Sequence, residues 1–178
     1  MTTSYRRKPL PRDSRLDGPR LVLQSSVVAL LAEHLPKSVR GVSHENVAYL
    51  GGFSIGDIKY ATTVVLPAAI TAPGGYETDA KSHRAVTQAL CSVEYEIVAQ
   101  VHTHPGKAVY HSDPDDELAF VKGEGFWSIV VPNYAGKGVL PLRQCGFHLY
   151  SRGDFRLLTL AAVSNRIRVE QSLLDVRQ

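Results

Sequence analysis

The segment from residue 95 to residue 104 constrains the fold of this chain more than any other. Its side chains alternate between two predicted faces, one with Tyr95, Ile97, Ala99 and Val101 and the other with Glu96, Val98, Gln100, His102 and His104. An alternation of period two predicts a β-strand. Pro105 ends the strand because proline cannot donate a ladder hydrogen bond. We therefore expect a strand that carries two histidines on one face at its end.

Extended and helical patterns alternate along the rest of the chain. Strands are predicted at residues 45–53, 60–67, 95–104, 126–132 and 145–151, and helices at residues 25–35, 79–93, 116–122 and 155–163. The turn dipeptide Gly56-Asp57 predicts an antiparallel hairpin between the first two strands, and Asp79 is the predicted N-cap of the second helix. Because strands and helices alternate, the residues favour an α/β or α+β fold.

Length and composition are those of one soluble globular domain. The chain has 178 residues, of which 44% are hydrophobic and 21% charged, close to globular averages. Residues 1–20 hold six basic residues against Asp13 and Asp17 and show no periodicity. We predict a flexible basic arm at residues 1–20 and a single domain at residues 21–178.

Charge and cysteine usage argue against several classes of partner. The net charge of +3 comes from the arm, so the near-neutral body lacks the basic face that binds nucleic acid. The longest strictly apolar run, residues 27–32, is far too short to cross a membrane. Cys91 and Cys145 form no C-x-x-C pair, which favours a reducing, cytoplasmic location.

The two histidines at the end of the predicted strand are candidate metal ligands. Residues two apart on a strand share a face and lie roughly 6.6 Å apart along the backbone, so the imidazoles of His102 and His104 can converge on one ion. A single catalytic zinc is the natural occupant, because two histidines, one carboxylate and an open position form an established zinc site. Asp115 is the candidate carboxylate.

The chain between the histidines and Asp115 makes this arrangement feasible. Ser112 follows a predicted loop and opens a helix, and Asp115 then lies in the first turn, where a negative charge is favoured. The same residues also form an ordinary capping pattern, in which Ser112 binds backbone amides and Asp115 only favours the helix start. The neighbouring Asp113, Asp116 and Glu117 form an acidic cluster that either supports the metal ligands from outside or, as we expect, is a solvated first helical turn. We expect the scattered His34, His83, His111 and His148 to be surface or core groups.

The run His102-Thr103-His104, seven residues, Ser112, two residues, Asp115 resembles the motif of the JAMM (MPN+/JAB) zinc metalloprotease family. The family also has an upstream glutamate, and Glu45, followed by an apolar strand and two glycines, matches it. The chain departs from the family at Ala48, where members often carry glycine. Its compact length resembles the bacterial stand-alone, deubiquitinase-like members.

This resemblance implies a fold, a cofactor and a role for each site residue. The fold is a mixed, curved β-sheet flanked by helices, an α/β arrangement related to cytidine deaminases. One catalytic zinc, held by His102, His104 and Asp115, would lower the pKa of its bound water to around 7. Glu45 would act as general base and then acid, and Ser112 would donate to the oxyanion of the tetrahedral intermediate.

The resemblance also implies a substrate class. Many family members cleave the amide bond after the C-terminus of a ubiquitin-like protein, in deconjugation or precursor maturation. Some bacterial members resemble parts of ubiquitin-like conjugation systems with a proposed antiphage role. Two alternatives stay open: a zinc hydrolase of a sulfur-carrier or small-molecule amide conjugate, and a non-catalytic MPN scaffold. Residues 67–79 and 133–144 are the predicted loops that border the cleft, and the oligomeric state is left open.

Overall fold

The computed structural model describes residues 17–171, which form a central sheet, two small hairpins and four α-helices. The strands are β1 (Arg20–Gln24), β2 (Lys37–Val39), β3 (Val42–His44), β4 (Val47–Ile55), β5 (Ile58–Val65), β6 (Ile70–Ala72), β7 (Gly75–Glu77), β8 (Glu96–Thr103), β9 (Trp127–Val131), β10 (Gly146–Ser151), β11 (Asp154–Leu157) and β12 (Ile167–Glu170). The helices are α1 (Ser25–His34), α2 (Ala80–Cys91), α3 (Asp113–Glu117) and α4 (Leu160–Arg166).

The central sheet has eight strands in the described part of the chain, in the order β11-β10-β9-β8-β4-β5-β1-β12. It is mixed: β8 runs parallel to β9, and β1 runs parallel to both β5 and β12, while the remaining neighbours are antiparallel. The sheet curls and helices flank it, so the predicted mixed, curved sheet is confirmed. The predicted hairpin of β4 and β5 is also confirmed.

The two faces of the sheet pack against different helices. On one face, α1 and α4 cover a large apolar cluster that includes Trp127 and Phe147. On the other face, α2 packs its Val86 and Leu90 against β4. Gly51 permits this approach because a Cβ atom at that position would collide with the side chain of Leu90.

The predicted faces of β8 are wrong at its beginning. Tyr95 and Ile97 pack with the α2 cluster, whereas Ala99 and Val101 lie in the larger core. The pairing of β8 with β4 shifts register at this point, so that Leu50 pairs with Ala99 but the next residue, Gly51, pairs with Ile97. A β-bulge inserts one unpaired residue and thereby reverses the alternation of the faces.

Two predicted helices are misplaced. The helix predicted at residues 116–122 begins earlier, as α3, because Ser112 caps it. The helix predicted at residues 155–163 is wrong in its first half, which forms β11. Arg152 and Gly153 both adopt positive φ between paired Ser151 and Asp154, and this two-residue turn is the type that joins antiparallel strands.

The predicted basic arm meets the folded body at β1. Residues 1–16 and 172–178 lie outside the described residues, and with them most of the arm predicted at residues 1–20. Arg20 already belongs to β1, where it pairs with Ile58. Within residues 17–171, the helices are each too short or too polar to cross a membrane.

Candidate metal centre

His102 and His104 lie at the end of β8, in the middle of the sheet. His102 is paired with Val47 on one side and with Val130 on the other, and both histidines are almost fully buried. The backbone N–H of His104 donates to the carbonyl of Val131 at 2.9 Å, and its carbonyl accepts from Tyr134 at 2.8 Å. These bonds continue the sheet past the end of β8, so both imidazoles are carried by rigid backbone.

Asp115 approaches the two histidines from α3. Its Oδ1 lies 3.3 Å from Nε2 of His102, and its Oδ2 lies 3.2 Å from Nε2 of His104. The two Nε2 atoms are themselves 3.2 Å apart. The structure therefore brings the three predicted ligands together at one point.

A capping box sets the local conformation at the start of α3 and with it the orientation of Asp115 relative to Ser112. Oδ2 of Asp115 accepts from the backbone N–H of Ser112 at 2.6 Å and from its hydroxyl at 2.7 Å, while Oγ of Ser112 accepts from the N–H of Asp115. The ordinary capping interpretation of Ser112 is thus realised in the structure. It is compatible with the metal-site interpretation, because the capped conformation is the one that presents Asp115 to the histidines.

The cluster has the donor chemistry of a zinc site. Two imidazole nitrogens and a carboxylate oxygen lie within 4.8 Å of one another, and they are the one group of metal-binding type found among the described residues. Burial alone would raise the pKa of Asp115, but the charge of His102 and hydrogen bonds from both histidines outweigh it and lower the pKa well below its ordinary value. The carboxylate is therefore ionised, as a zinc ligand must be. Two histidines and a carboxylate fit zinc.

Glu45 is held beside this cluster by its neighbours in the chain. Its backbone N–H donates to the carbonyl of Ala72 at 2.8 Å, and the next residue, Asn46, exchanges two hydrogen bonds with Thr103 at the end of β8. The amide of Asn46 also donates to the carbonyls of His34 and Leu35 at the end of α1. Asn46 therefore locks Glu45 against the strand that carries the histidines.

A cavity of about 410 Å³ opens beside the cluster. Its lining comprises Glu45, Gly74, Gly75, Tyr76, Glu77, Thr78, His83, Ser112, Pro114, Asp115 and Leu118. The β7 strand forms one wall and α3 the other, so the segment predicted at residues 67–79 does border the cleft. Residues 133–144, all of them described, contribute nothing to this lining; Tyr134 instead supports the wall by donating its hydroxyl to the carbonyl of Pro73 at 2.8 Å.

Tyr76 is a cavity residue that the sequence reasoning missed. Its hydroxyl accepts a hydrogen bond from Nε2 of Gln100 at 2.7 Å, and its ring lies 5.7 Å from that of His102. Burial, followed by the negative charge of Asp115 and, more weakly, that of Glu45, raises the pKa of Tyr76 well above its ordinary value, so its hydroxyl stays protonated. Gln100 lies two residues before His102 and shares its face of β8. This spacing was the one sequence feature that pointed to a polar group beside the candidate ligands.

A second group of polar residues lies behind the cluster and was also missed. The ring of His111 binds Asp116 through Nδ1 at 2.7 Å and Ser128 through Nε2 at 2.9 Å, and it stacks on His148 at 4.0 Å. Asp116 is therefore engaged with a buried histidine rather than solvated. Because the partners are distant in the chain, only the position of His111 directly before Ser112 hinted at this group.

The domain therefore has a mixed, curled sheet with a His-His-Asp cluster at the end of a central strand and a buried glutamate beside it. This cluster is the candidate metal centre. A family model described as "Prokaryotic homologs of the JAB domain" matches residues 27–143, which is more than half of the 178 residues and includes Glu45, Ser112 and the three candidate ligands. The chain belongs to this Prok-JAB family, as its resemblance to JAMM proteins implied.

One relative and two solved structures are also similar to this chain. Over 73 residues the chain is 51% identical to "Probable metalloprotease y4jG" of Sinorhizobium fredii, a match that spans 41% of this chain and 44% of that protein. The solution structure of protein DSY2949 from Desulfitobacterium hafniense superposes with a TM-score of 0.63 at 15% identity, over 86% of this chain and 94% of that one. The solution structure of a protein from Salinibacter ruber superposes with a TM-score of 0.51 at 14% identity, over 76% of this chain and 86% of that one. The two structures share the fold.

Proposed function

We propose that this protein is a zinc-dependent peptidase or isopeptidase that hydrolyses the amide bond after the C-terminus of a ubiquitin-like protein. The observation that carries the proposal is the convergence of His102, His104 and Asp115, together with a cavity that Asp115, Glu45 and Ser112 line. Membership of the Prok-JAB family and the name of the Sinorhizobium relative support a metalloprotease. A non-catalytic scaffold has no need for this complete set of residues.

His102, His104 and Asp115 would hold the zinc ion. When bound there, zinc supplies a Lewis acid for the scissile carbonyl and lowers the pKa of water to about 7. Glu45 accepts the proton of the attacking water and later delivers it to the departing amine, a role open to a carboxylate held in the wall of the site. Its burial at 3% exposure keeps the carboxylate beside the reacting groups rather than in bulk solvent.

Ser112 has two tasks in this proposal. Its hydroxyl donates to Asp115 and so orients the third ligand. Rotation about the Cα–Cβ bond of Ser112 turns the same hydroxyl into the cavity, where it donates to the oxyanion of the tetrahedral intermediate. Asp115 keeps the backbone N–H of Ser112 as a donor during that rotation.

The shape of the cavity favours an extended tail made of small residues. Among the described residues, β7 pairs only with β6, so the other edge of β7 can accept an added strand. All of β7 lines the cavity, and Gly74 and Gly75 at its start bring backbone rather than side chains to the wall. A tail that pairs with β7 gains main-chain hydrogen bonds, while specificity comes from the pockets beside it.

The test is cleavage of a panel of ubiquitin-like proteins, each fused through its C-terminal glycine to a reporter, by zinc-loaded and chelator-treated protein. We expect zinc-dependent cleavage after the glycine, and a loss of about 10²–10⁴-fold in Glu45→Gln while zinc content stays at the wild-type level. Glu33→Gln, an exposed carboxylate on α1, is the matched control and should cleave normally.

Three results would count against the proposal. Zinc-loaded protein that cleaves no fusion but hydrolyses a small amide conjugate would transfer the function to the sulfur-carrier or small-molecule class. Glu45→Gln with undiminished cleavage would remove the assigned base. Protein that binds no zinc from metal-replete solution would exclude both hydrolase functions.

A further inference from the structure

The short helix α3 carries a candidate ligand but has little to hold it in place. It has five residues, and each of them is at least partly exposed in the structure. A helix of this length is not stable on its own, because the free-energy cost of nucleating it exceeds the stabilisation from so few backbone hydrogen bonds. Yet Asp115 must keep its carboxylate within about 3 Å of two histidines on a different element. Something outside α3 must therefore fix its position.

His111 connects α3 to the sheet. The residue lies directly before the capping Ser112 and is only 6% exposed. Nδ1 lies 2.7 Å from Oδ1 of Asp116, which is inside α3, and Nε2 lies 2.9 Å from Oγ of Ser128, which is on β9. One imidazole thus bridges the helix and the central sheet.

The protonation of this bridge is determined by its two partners. A carboxylate can only accept, so Nδ1 of His111 carries the proton and donates to Asp116. Burial above all holds the pKa of His111 down, at about 3, so the ring is neutral and Nε2 accepts from the hydroxyl of Ser128. Both ring nitrogens are then satisfied, and this arrangement resists rotation of the ring.

The sheet end of the bridge is rigid and close to the candidate ligands. Ser128 pairs in register with Gln100 on β8 and with His148 on β10. His102 lies two residues along β8 from Gln100. The bridge therefore ties Asp115 to the same backbone frame that carries its two partner ligands.

We propose that His111, through Asp116 and Ser128, is a positioning residue that sets the place of Asp115 in the metal centre. The inference rests on the proposed function only in taking His102, His104 and Asp115 as zinc ligands. Loss of the bridge lets α3 move relative to β8, and this movement weakens metal binding. Partners outside the ligand set typically alter metal affinity by about 10–100-fold when they are removed.

The structure offers a matched control in His148. It is fully buried, stacks on His111 with ring centroids 4.0 Å apart, and has both nitrogens without a hydrogen-bond partner among the described residues. His148 thus contributes packing at the same place but takes no part in the bridge. Replacing each histidine by phenylalanine keeps an aromatic ring in both cases, so the two variants differ in the hydrogen bonds that they remove.

The experiment measures zinc affinity by chelator competition in wild type, His111→Phe and His148→Phe, with the thermal midpoint of each metal-free protein. We expect His111→Phe to bind zinc about 10–100-fold more weakly and His148→Phe to stay within about threefold of wild type. The absorption spectrum of the Co²⁺-substituted protein should change only in His111→Phe, because only there does the carboxylate ligand move.

A further variant separates positioning from simple packing. The side-chain amide of His111→Asn can still donate to Asp116 but leaves a space in the buried site. If His111 positions Asp115, the asparagine variant is less stable than the phenylalanine variant yet binds zinc more tightly. If His111 only fills space, zinc affinity follows stability and the order is reversed. Ser128→Ala removes the other bond with a smaller change of volume, and we expect it to weaken zinc binding even should His111→Phe fail to fold.

The outcomes distinguish this inference from the proposed function. Equal zinc affinity in wild type, His111→Phe and Ser128→Ala, or an equal loss in His111→Phe and His148→Phe, overturns the inference whatever the protein cleaves. Wild-type protein that binds zinc tightly and cleaves no fusion overturns the proposed function and leaves the inference standing. Wild-type protein that binds no zinc overturns both.

Discussion

The two faces of the eight-stranded sheet differ in what they bury. One face packs apolar side chains from β8, β9 and β10 under α1 and α4, and Trp127, Ile129 and Phe147 are fully buried there. On the other face, α2 covers β4 and the beginning of β8. On that same face, beside the part that α2 covers, β8, β9 and β10 present the polar residues Gln100, His102, Ser128 and His148.

This difference assigns separate tasks to the two faces. Burial of apolar area is the main favourable contribution to folding, so the α1 face supplies most of the stability. Burying a polar group costs free energy unless it is hydrogen-bonded, so the polar face costs stability, most clearly at His148, whose two ring nitrogens have no hydrogen-bond partner among the described residues. Because successive strand residues point to opposite faces, Val101 of β8 packs in the core while His102 of the same strand belongs to the candidate metal centre.

The largest effect that tests this division is loss of a core side chain. Phe147→Ala removes a fully buried ring and should lower the free energy of unfolding by about 3–5 kcal/mol, measured by urea denaturation. Phe53→Ala, at a ring that is 40% exposed on β4, is the control and should cost about 1 kcal/mol or less. Folded Phe147→Ala should still bind zinc as wild type does; a selective loss of zinc affinity would show that the two faces are not independent.

The sequence predicted the convergence of the candidate ligands better than it predicted the sheet. His102, His104, Ser112 and Asp115 lie within fourteen consecutive residues, so strand parity and helix capping were enough to bring them together. The role of these residues stays a prediction, as does that of Glu45, which was assigned from the family resemblance. Glu45 is held by its own hydrogen bond with Ala72 and by those of the next residue, Asn46, with Thr103.

What the sequence could not predict depends on distant contacts. The short β12 gains its strand character from parallel pairing with β1, nearly 150 residues earlier. The bulge in β8 is set by its register with β4. The bridge from His111 to Ser128 joins two elements that no local pattern connects, and for that reason His111 was expected to be an ordinary surface or core group.

A smaller effect should appear in the pH dependence of the metal-free protein. Burial lowers the pKa of His111 to about 3 in the folded state, against about 6.5 for an unfolded histidine. Between these values the unfolded chain binds a proton that the folded protein does not. Stability therefore falls as the pH is lowered from about 6.5 toward 3, by about 1.4 kcal/mol per pH unit.

Urea denaturation between pH 4.5 and pH 7 in the presence of a chelator measures this slope. We expect His111→Phe to reduce this slope by roughly 1 kcal/mol per pH unit. His148 adds a slope of the same sign, because burial and the nearby His111 lower its pKa well below the ordinary value. An unaltered slope in His111→Phe would mean that the ring is not held neutral.

The smallest expected effect concerns the hydrogen bond between Gln100 and Tyr76 on the polar face. Gln100 is 3% exposed and donates to a hydroxyl that lines the cavity. Tyr76→Phe deprives the buried amide of this acceptor and should lower the free energy of unfolding by about 1 kcal/mol. Zinc affinity should not change, because the hydroxyl does not touch the three candidate ligands in the structure.

A double-mutant cycle with Gln100→Leu shows which of two purposes this bond serves. If it stabilises the fold, the two substitutions are coupled by about 1 kcal/mol in urea denaturation of the metal-free protein. If it instead holds the tyrosine hydroxyl ready for substrate, the coupling appears in KM for a ubiquitin-like fusion, and Tyr76→Phe alone raises KM by up to about tenfold. Additive effects in both measurements would show that this hydrogen bond contributes neither to stability nor to substrate binding. That result would contradict the division of tasks between the two faces.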